Sequence, residues 1–147
     1  MSQTFLGFDY GHRRIGVAAG QTVTGTAEGI ATILANYPTG PWLEIEKLID
    51  AWQPDGLVVG MPVTSYKNES ELVRQSRAFG NELCSRFHLP VHFIDETLTS
   101  NSADAIIRET TTPGKHITKR RKTIRDRLAA ELILQTYLYE YRNSETG

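Results

Sequence analysis

A chain of 147 residues with 39% hydrophobic and 22% charged residues is long enough to bury one core and too apolar to be disordered. Cys84 is the only cysteine, which excludes an internal disulfide and a cysteine-rich zinc site. The formal net charge of −1 excludes a polycationic protein, and no apolar run approaches the roughly 20 residues of a membrane span.

The beginning of the chain shows no targeting signal. Met1–Thr4 has neither the basic nor the apolar region of a signal peptide, so we expect a cytoplasmic protein that does not associate with a membrane. We expect the lone Cys84 to pack as a small hydrophobe on a helix.

The predicted elements begin with three short strands and continue with alternating helices and strands. The strands are about Thr4–Asp9, Arg14–Gly20 and Gly29–Leu34, which are rich in apolar residues. Helices and strands are then predicted at about Trp42–Trp52, Asp55–Gly60, Leu72–Phe87, Val91–Ile94, Ser102–Glu109 and Lys122–Tyr141, with 110–121 as a mobile basic loop. No repeat or linker interrupts this order, so residues 1–147 are predicted to form one domain.

The order of these elements predicts an α/β fold. The three strands of a meander pair antiparallel, and the two later strands join parallel to the first through right-handed crossovers. The product is a five-stranded mixed sheet with helices on both faces. This is the order of the ribonuclease H-like fold, and also of one half of an actin-like ATPase domain.

Asp9 stands at the end of the first apolar run, between Gly7 and Gly11. An ionised carboxylate is costly in an apolar environment unless it is paired or bound to a metal. This stretch alone allows two interpretations. Asp9 is either a carboxylate held on a rigid strand to bind a cation or a phosphate-bearing ligand, or a turn residue that begins a hairpin.

Further acids occur at the end of the fifth predicted strand and on the last helix. Strands one and five are parallel in this layout, so Asp95 and Glu96 fall at the same edge of the sheet as Asp9. Neighbouring strand residues point to opposite faces, which favours Glu96 as a ligand and Asp95 as a turn or supporting group. Asp126 lies on a face of its helix with two alanines, which favours a close approach to the sheet; the alternative is an acid that interacts with the helix dipole.

Oxygen ligands without a cysteine or histidine cluster favour Mg²⁺ or Mn²⁺ over zinc. Two such ions, shared by three or four carboxylates, would suit an in-line phosphodiester displacement.

The last predicted loop and helix carry a dense basic run. Seven of the sixteen cations of the chain lie there, interrupted only by Asp126: Lys115, Lys119, Arg120, Arg121, Lys122, Arg125 and Arg127. Such a run on a near-neutral protein is either a surface that binds a phosphate backbone or a solvated loop and helix face.

Four motifs in this order resemble the YqgF-type family, which is described both as Holliday-junction resolvases and as pre-16S ribosomal RNA nucleases. They are Asp9-Tyr10-Gly11-His12-Arg13-Arg14-Ile15-Gly16-Val17-Ala18, Val58-Val59-Gly60-Met61-Pro62, Asp95-Glu96-Thr97-Leu98-Thr99-Ser100, and Asp126 with Ala129-Ala130 and Ile133-Leu134-Gln135. Thr97 departs from the arginine that is usual in the family, and the loop 63–70 lacks the glycine that tends to occur there.

The resemblance implies a ribonuclease H-like nuclease in which Asp9, Glu96 and Asp126 are the catalytic, metal-binding acids. It implies that Arg13, Arg14 and the run Lys119, Arg120, Arg121, Lys122 and Arg125 contact the phosphates of a nucleic acid. The implied reaction is Mg²⁺- or Mn²⁺-dependent cleavage at the 5′ end of precursor 16S ribosomal RNA, on the RNA or on a ribosomal precursor particle, by a monomer or weak homodimer.

Three other functions remain open at this point. A resolvase of four-way DNA junctions would need two coordinated sites and hence a dimer. A non-catalytic nucleic-acid or ribosome-binding module is disfavoured by the three intact acids and slightly favoured by Thr97. A sugar-kinase-like ATPase would need a second lobe that one domain does not supply.

Overall fold

The computed structural model describes residues 2–11, 13–35, 40–61, 71–95 and 119–146. Its elements are β1 Thr4–Asp9, β2 Arg14–Gln21, β3 Thr26–Leu34, α1 Trp42–Trp52, β4 Gly56–Met61, α2 Glu71–Phe87, β5 Val91–Asp95 and α3 Lys119–Thr146. The predicted helix Ser102–Glu109, the predicted loop at 110–118 and the candidate ligand Glu96 lie outside the described residues.

All five strands form one mixed sheet in the order β3-β2-β1-β4-β5. The pairs β1–β2 and β2–β3 are antiparallel, and β1–β4 and β4–β5 are parallel. The predicted sheet is therefore confirmed. Because β1, β4 and β5 run the same way, their carboxyl ends meet at one edge of the sheet, which we call the carboxyl edge.

Two apolar layers cover the sheet. Side chains of β1, β2 and β4 such as Leu6, Phe8 and Ile15 pack with α1 and α2 on one face. On the other face, Phe5, Ala18, Val58 and Ile94 pack with α3. The alternation of side chains along each strand explains how one sheet supplies both layers.

Helix α3 differs from its prediction in its start, whereas its buried face is the predicted one with two alanines. It begins at Lys119, so residues 119–121 are helical and do not belong to the predicted loop. Ile124 and Leu128 also have the spacing of a helix face, but theirs is not the buried one, because Ile124 is 45% exposed. Instead the sheet contacts the neighbouring stripe of Ala129, Ala130, Ile133, Leu134 and Leu138, whose two alanines permit a close approach.

Cys84 lies on helix α2 as expected, but it is exposed, so the expectation that it packs as a small hydrophobe was wrong. Its neighbour Leu83 is fully buried. Successive residues of an α-helix are about 100° apart around its axis, so Cys84 falls beside the buried stripe of α2. Among the described residues, no helix has the length and apolar character needed to cross a membrane.

Side chains of α3 also bond to the backbone of β3. Glu131 Oε1 accepts a hydrogen bond from the amide of Gly29 at 3.2 Å, and Gln135 Oε1 accepts one from the amide of Ala27 at 3.1 Å. The Gln135 amide group donates to the carbonyl oxygen of Gly25. These bonds fix the helix across the antiparallel half of the sheet.

Candidate active site

Asp9 ends β1 on the face of the sheet that carries α3. A Cβ added to Gly7 would lie 2.8 Å from the Cβ of Leu134 in α3, so the Gly7 position faces this helix. Strand side chains alternate, and Asp9 therefore points towards α3 as well. The residue is half-buried and engaged in an interaction within the structure. Its position at the carboxyl edge confirms the predicted placement of this acid.

Gly16 brings the backbone of α3 against β2, directly beside Asp9. It is the antiparallel register partner of Asp9. A Cβ built on Gly16 would lie 1.9 Å from the carbonyl oxygen of Asp126, where real Cβ atoms essentially never come within 3.0 Å. Only glycine allows this approach, because it has no Cβ. The helix therefore carries Asp126 to the same edge as Asp9.

Arg14 holds the carboxylate of Asp126. Its Nε donates a hydrogen bond to Asp126 Oδ2 at 2.7 Å, and the two side chains are only 21% and 14% exposed. A charge-assisted bond of this length in a mostly buried position orients the carboxylate and is weakly screened by salt. Sequence reasoning placed Arg14 near the site as a phosphate contact and missed this pair, which joins residues 112 positions apart.

The end of β5 separates Asp95 from the face of Asp9. Ile94 packs in the layer under α3, whereas Phe93 lies against Gly80 of α2. By alternation, Asp95 points to the α2 side and away from Asp9. Asp95 is exposed, and its register partner is Met61 at the end of β4. Glu96 itself, the third predicted ligand, lies outside the described residues.

The predicted phosphate-binding residues fall into three groups. Arg13 is exposed, and its carbonyl oxygen accepts a hydrogen bond from the amide of Ala35 at 2.8 Å. Arg125 is half-buried and engaged within the structure. The residues Lys119, Arg120, Arg121 and Lys122 occupy the start of α3, whose first turn contains no acid, and their side chains lie outside the described residues.

Cations at the amino end of a helix are opposed by the helix dipole. A bound anion offsets this unfavourable interaction. The basic start of α3 is thus electrostatically suited to bind phosphate. Its cations do not stabilise the helix itself, because the helix dipole opposes them.

The donor set suits a hard divalent cation. Asp9 and Asp126 supply carboxylate oxygens at one edge, which Mg²⁺ and Mn²⁺ prefer. With Arg14, the three side chains together carry a single negative formal charge. Within the described ranges, no three His, Cys, Asp or Glu residues form a cluster able to hold a metal. A site for two ions therefore needs at least one more carboxylate.

Comparison with known proteins gives a consistent family. The sequence profile of a family described as "RuvX: Holliday junction resolvase" matches residues 3–140. A protein of Dechloromonas aromatica is 44% identical over 134 residues, which cover 91% of this chain and 89% of that protein. One of Aeromonas salmonicida is 42% identical over 139 residues, covering 95% and 96%. Both bear the name "Putative pre-16S rRNA nuclease".

Two solved structures share the fold at low sequence identity. T. thermophilus RuvC in complex with Holliday junction substrate is similar with a TM-score of 0.58 and 12% identity, over 96% of each chain. The Fowlpox virus resolvase in complex with Holliday junction DNA gives a TM-score of 0.56 and 15% identity, over 94% of this chain and 98% of that one. These likenesses establish the ribonuclease H-like fold.

Proposed function

The chain belongs to the RuvX family of Holliday junction resolvases and is a nuclease, and we propose from this premise that it is a divalent-metal-dependent endonuclease that processes the 5′ end of precursor 16S ribosomal RNA. The observation that carries the proposal is the contact of the Asp126 backbone with Gly16, the register partner of Asp9. It supports a shared role for two acids that are 117 positions apart in the chain. The names of the relatives support precursor 16S rRNA as the substrate.

We assign Asp9, Asp126 and Glu96 as the residues that hold the metal. Glu96 follows Asp95 directly in the chain, and Asp95 is the last residue of β5 at the carboxyl edge. A third carboxylate from this strand would complete the donor set. When bound, Mg²⁺ or Mn²⁺ supplies Lewis-acid stabilisation of the phosphate oxygens and favours ionisation of a water molecule.

The residues of the chain have distinct tasks in this proposal. The short β1 strand fixes Asp9 in a rigid sheet, and Arg14 orients the Asp126 carboxylate through the bond to Oδ2. We expect the basic start of α3 and Arg13 to bind the phosphate backbone of the substrate. Binding through many cations makes affinity fall steeply with salt concentration.

The test is cleavage of a labelled precursor 16S rRNA 5′ fragment, with a four-way DNA junction in parallel. Wild type is compared with Asp9→Asn in Mn²⁺, Mg²⁺ and EDTA. Asp50→Asn is the matched control, because Asp50 is an exposed residue of α1. We expect the RNA to be cut by wild type and Asp50→Asn, and not by Asp9→Asn or in EDTA. Binding of both substrates without cleavage of either would refute the proposal.

Resolution of four-way DNA junctions is the second candidate function, and the description of the family favours it. It predicts symmetric cuts in two opposing strands of the junction. Since such cuts need two coordinated sites, it also predicts a dimer at the concentration at which the protein is active. Sedimentation of the protein with and without junction DNA measures this directly.

A further inference from the structure

A cleft of about 320 Å³ opens on the face of the sheet opposite α3. Its principal lining residues are Tyr10, Trp42, Gln75, Ala78, Phe79 and Glu82. Tyr10 directly follows the end of β1, Trp42 begins α1, and the others lie in α2. The cleft thus lies at the carboxyl edge, where ligands of open α/β sheets bind.

Aromatic rings form the walls of this cleft. The rings of Trp42 and Phe79 are stacked, with centroids 5.6 Å apart and planes 24° apart. Tyr10 lies against the same phenylalanine, with centroids 4.9 Å apart. Phe79 is buried, whereas Tyr10 and Trp42 are half-buried and keep surface towards the cleft. The Arg86 guanidinium also lies over the Trp42 ring, 4.5 Å from its centroid, so Tyr10 is the ring on which a flat aromatic ligand can pack.

The acceptors of the cleft are the Gln75 carbonyl oxygen and the Glu82 carboxylate, and its donors are the Trp42 indole N–H, the Tyr10 hydroxyl and the Gln75 amide group. The Oε1 of Gln75 is buried and has no hydrogen-bond partner in the described structure. The Nε2 of the same residue donates to Glu71 Oε1 at 3.2 Å. Glu82 accepts a bond from Arg86 Nε at 3.0 Å, which offsets its negative charge. A buried acceptor without a partner costs free energy until a donor reaches it. The Glu82 carboxylate, with a side chain that is 47% exposed, is the accessible acceptor and favours a ligand with N–H groups on its edge.

We propose that this cleft binds a nucleobase, specifically a purine with an exocyclic amino group, from an unpaired nucleotide of the substrate. Aromatic walls stack on bases, and acceptors match the amino and imino donors of a guanine edge. The volume is at the lower end of the range for small-molecule sites. This proposal rests on the proposed nuclease function for the identity of its ligand.

The cleft adjoins the candidate active site through the backbone. Tyr10 directly follows Asp9, the last residue of β1. Asp9 points to the α3 side, and the next side chain, Tyr10, points to the opposite side. A strand that crosses this edge would present a phosphate to Asp9 on one face of the sheet and a nearby base to the cleft on the other.

The test uses Trp42 as a fluorescent reporter. The only other tryptophan, Trp52, is 39% exposed and is replaced by phenylalanine (Trp52→Phe) to isolate the signal. The protein is titrated in EDTA with GMP, UMP and ribose 5-phosphate. We expect saturable quenching by GMP, about fivefold or more weaker binding of UMP, which has no amino group, and no response to ribose 5-phosphate. No quenching by GMP, or equal quenching by ribose 5-phosphate, would overturn the proposal.

Two further variants separate binding in the cleft from binding elsewhere. Ala78→Leu fills the cleft from an exposed position of α2 and should weaken GMP binding at least tenfold. Ala51→Leu makes the same change at an exposed position of α1 outside the cleft and should leave binding within twofold. Gln75→Leu should weaken GMP binding about fivefold and raise the Tm, because it removes a buried unpaired acceptor. Unchanged GMP affinity in Ala78→Leu would refute the site.

The titration needs neither metal nor cleavage, so its outcome is independent of the nuclease assay. GMP binding that Ala78→Leu abolishes, in a protein that cuts no substrate, would support the cleft and refute the proposed catalysis. Cleavage of RNA by a protein without GMP-dependent quenching would support the catalysis and refute the cleft.

Discussion

The contact between Gly16 and Asp126 can be tested with a single methyl group. In Gly16→Ala, the new Cβ would start 1.9 Å from the Asp126 carbonyl oxygen, whereas ordinary contacts begin at 3.4 Å. The helix backbone must therefore move by about 1.5 Å. It cannot do so alone, because its side chains are bonded to β3 and its apolar stripe is packed on the sheet. We therefore expect the variant to displace Asp126 relative to Asp9.

The expected cost has two parts. Overpacking of this kind destabilises a fold by about 1–3 kcal/mol, which corresponds to a fall in Tm of about 3–12 °C for a domain of this size. A displacement of catalytic groups by about 1 Å can lower activity by about 100-fold. We expect both effects together, measured by thermal unfolding and by cleavage at a temperature well below the reduced Tm.

Gly80→Ala is the matched control for this experiment. The same methyl group there would meet the ring of Phe93 at 2.5 Å, but that ring is 42% exposed and can turn away. Alanine also favours the helical position by about 1 kcal/mol. We expect Gly80→Ala to have a Tm close to that of wild type and full nuclease activity. If Gly16→Ala behaves like Gly80→Ala in both assays, the inference that Gly16 positions Asp126 is wrong.

Three other predictions concern the pair, the core and the pH dependence. Arg14→Gln leaves the Asp126 carboxylate unpaired and should lower the free energy of unfolding, measured in urea, by about 1–3 kcal/mol. Arg74→Gln removes one partner of an exposed pair and should lower it by less than about 1 kcal/mol. Equal costs would contradict a buried role for the pair. Leu134→Ala, at a fully buried position of α3, should lower the free energy of unfolding by about 2–5 kcal/mol. A loss below about 1 kcal/mol would contradict tight packing between α3 and the sheet. Burial, and then the neighbouring Tyr141, raise the pKa of Tyr137 above 10.0, so its contribution to stability is complete below pH 10.0 and is lost as the pH rises through the raised pKa. Tyr137→Phe should flatten this alkaline decline, and Tyr139→Phe, at an exposed position, should not.

The sheet was predictable because its signals are local. The bounds of β1 and α1 match their predictions, since β1 is a continuous apolar run, α1 has a clear helical period, and each is followed by turn-forming residues. The position of Asp9 at the carboxyl edge was predictable for the same reason, because an acid directly after a buried apolar run is easy to recognise in the sequence. Asp126 was predictable because the alanines that follow it mark a helix face that can approach a sheet.

The contacts between distant segments were not predictable in the same way. The Arg14–Asp126 bond depends on how α3 lies across the strands, and helical periodicity alone allowed a second apolar stripe through Ile124. A usable signal was present in Gly16, which the antiparallel hairpin places opposite Asp9. The cleft left no signal, because Tyr10, Trp42 and Gln75 belong to three separate elements.

The hydrogen bonds from Glu131 and Gln135 to β3 also bear on how copies of this protein can associate. β3 is an outer strand of the sheet, and an outer strand with unpaired amides is a template for a strand of another molecule. Here the amides of Ala27 and Gly29 are already bonded to the helix. A twofold assembly that extended the sheet through β3 would have to break both bonds. These bonds therefore disfavour the β3 edge as the interface of a junction-cutting dimer.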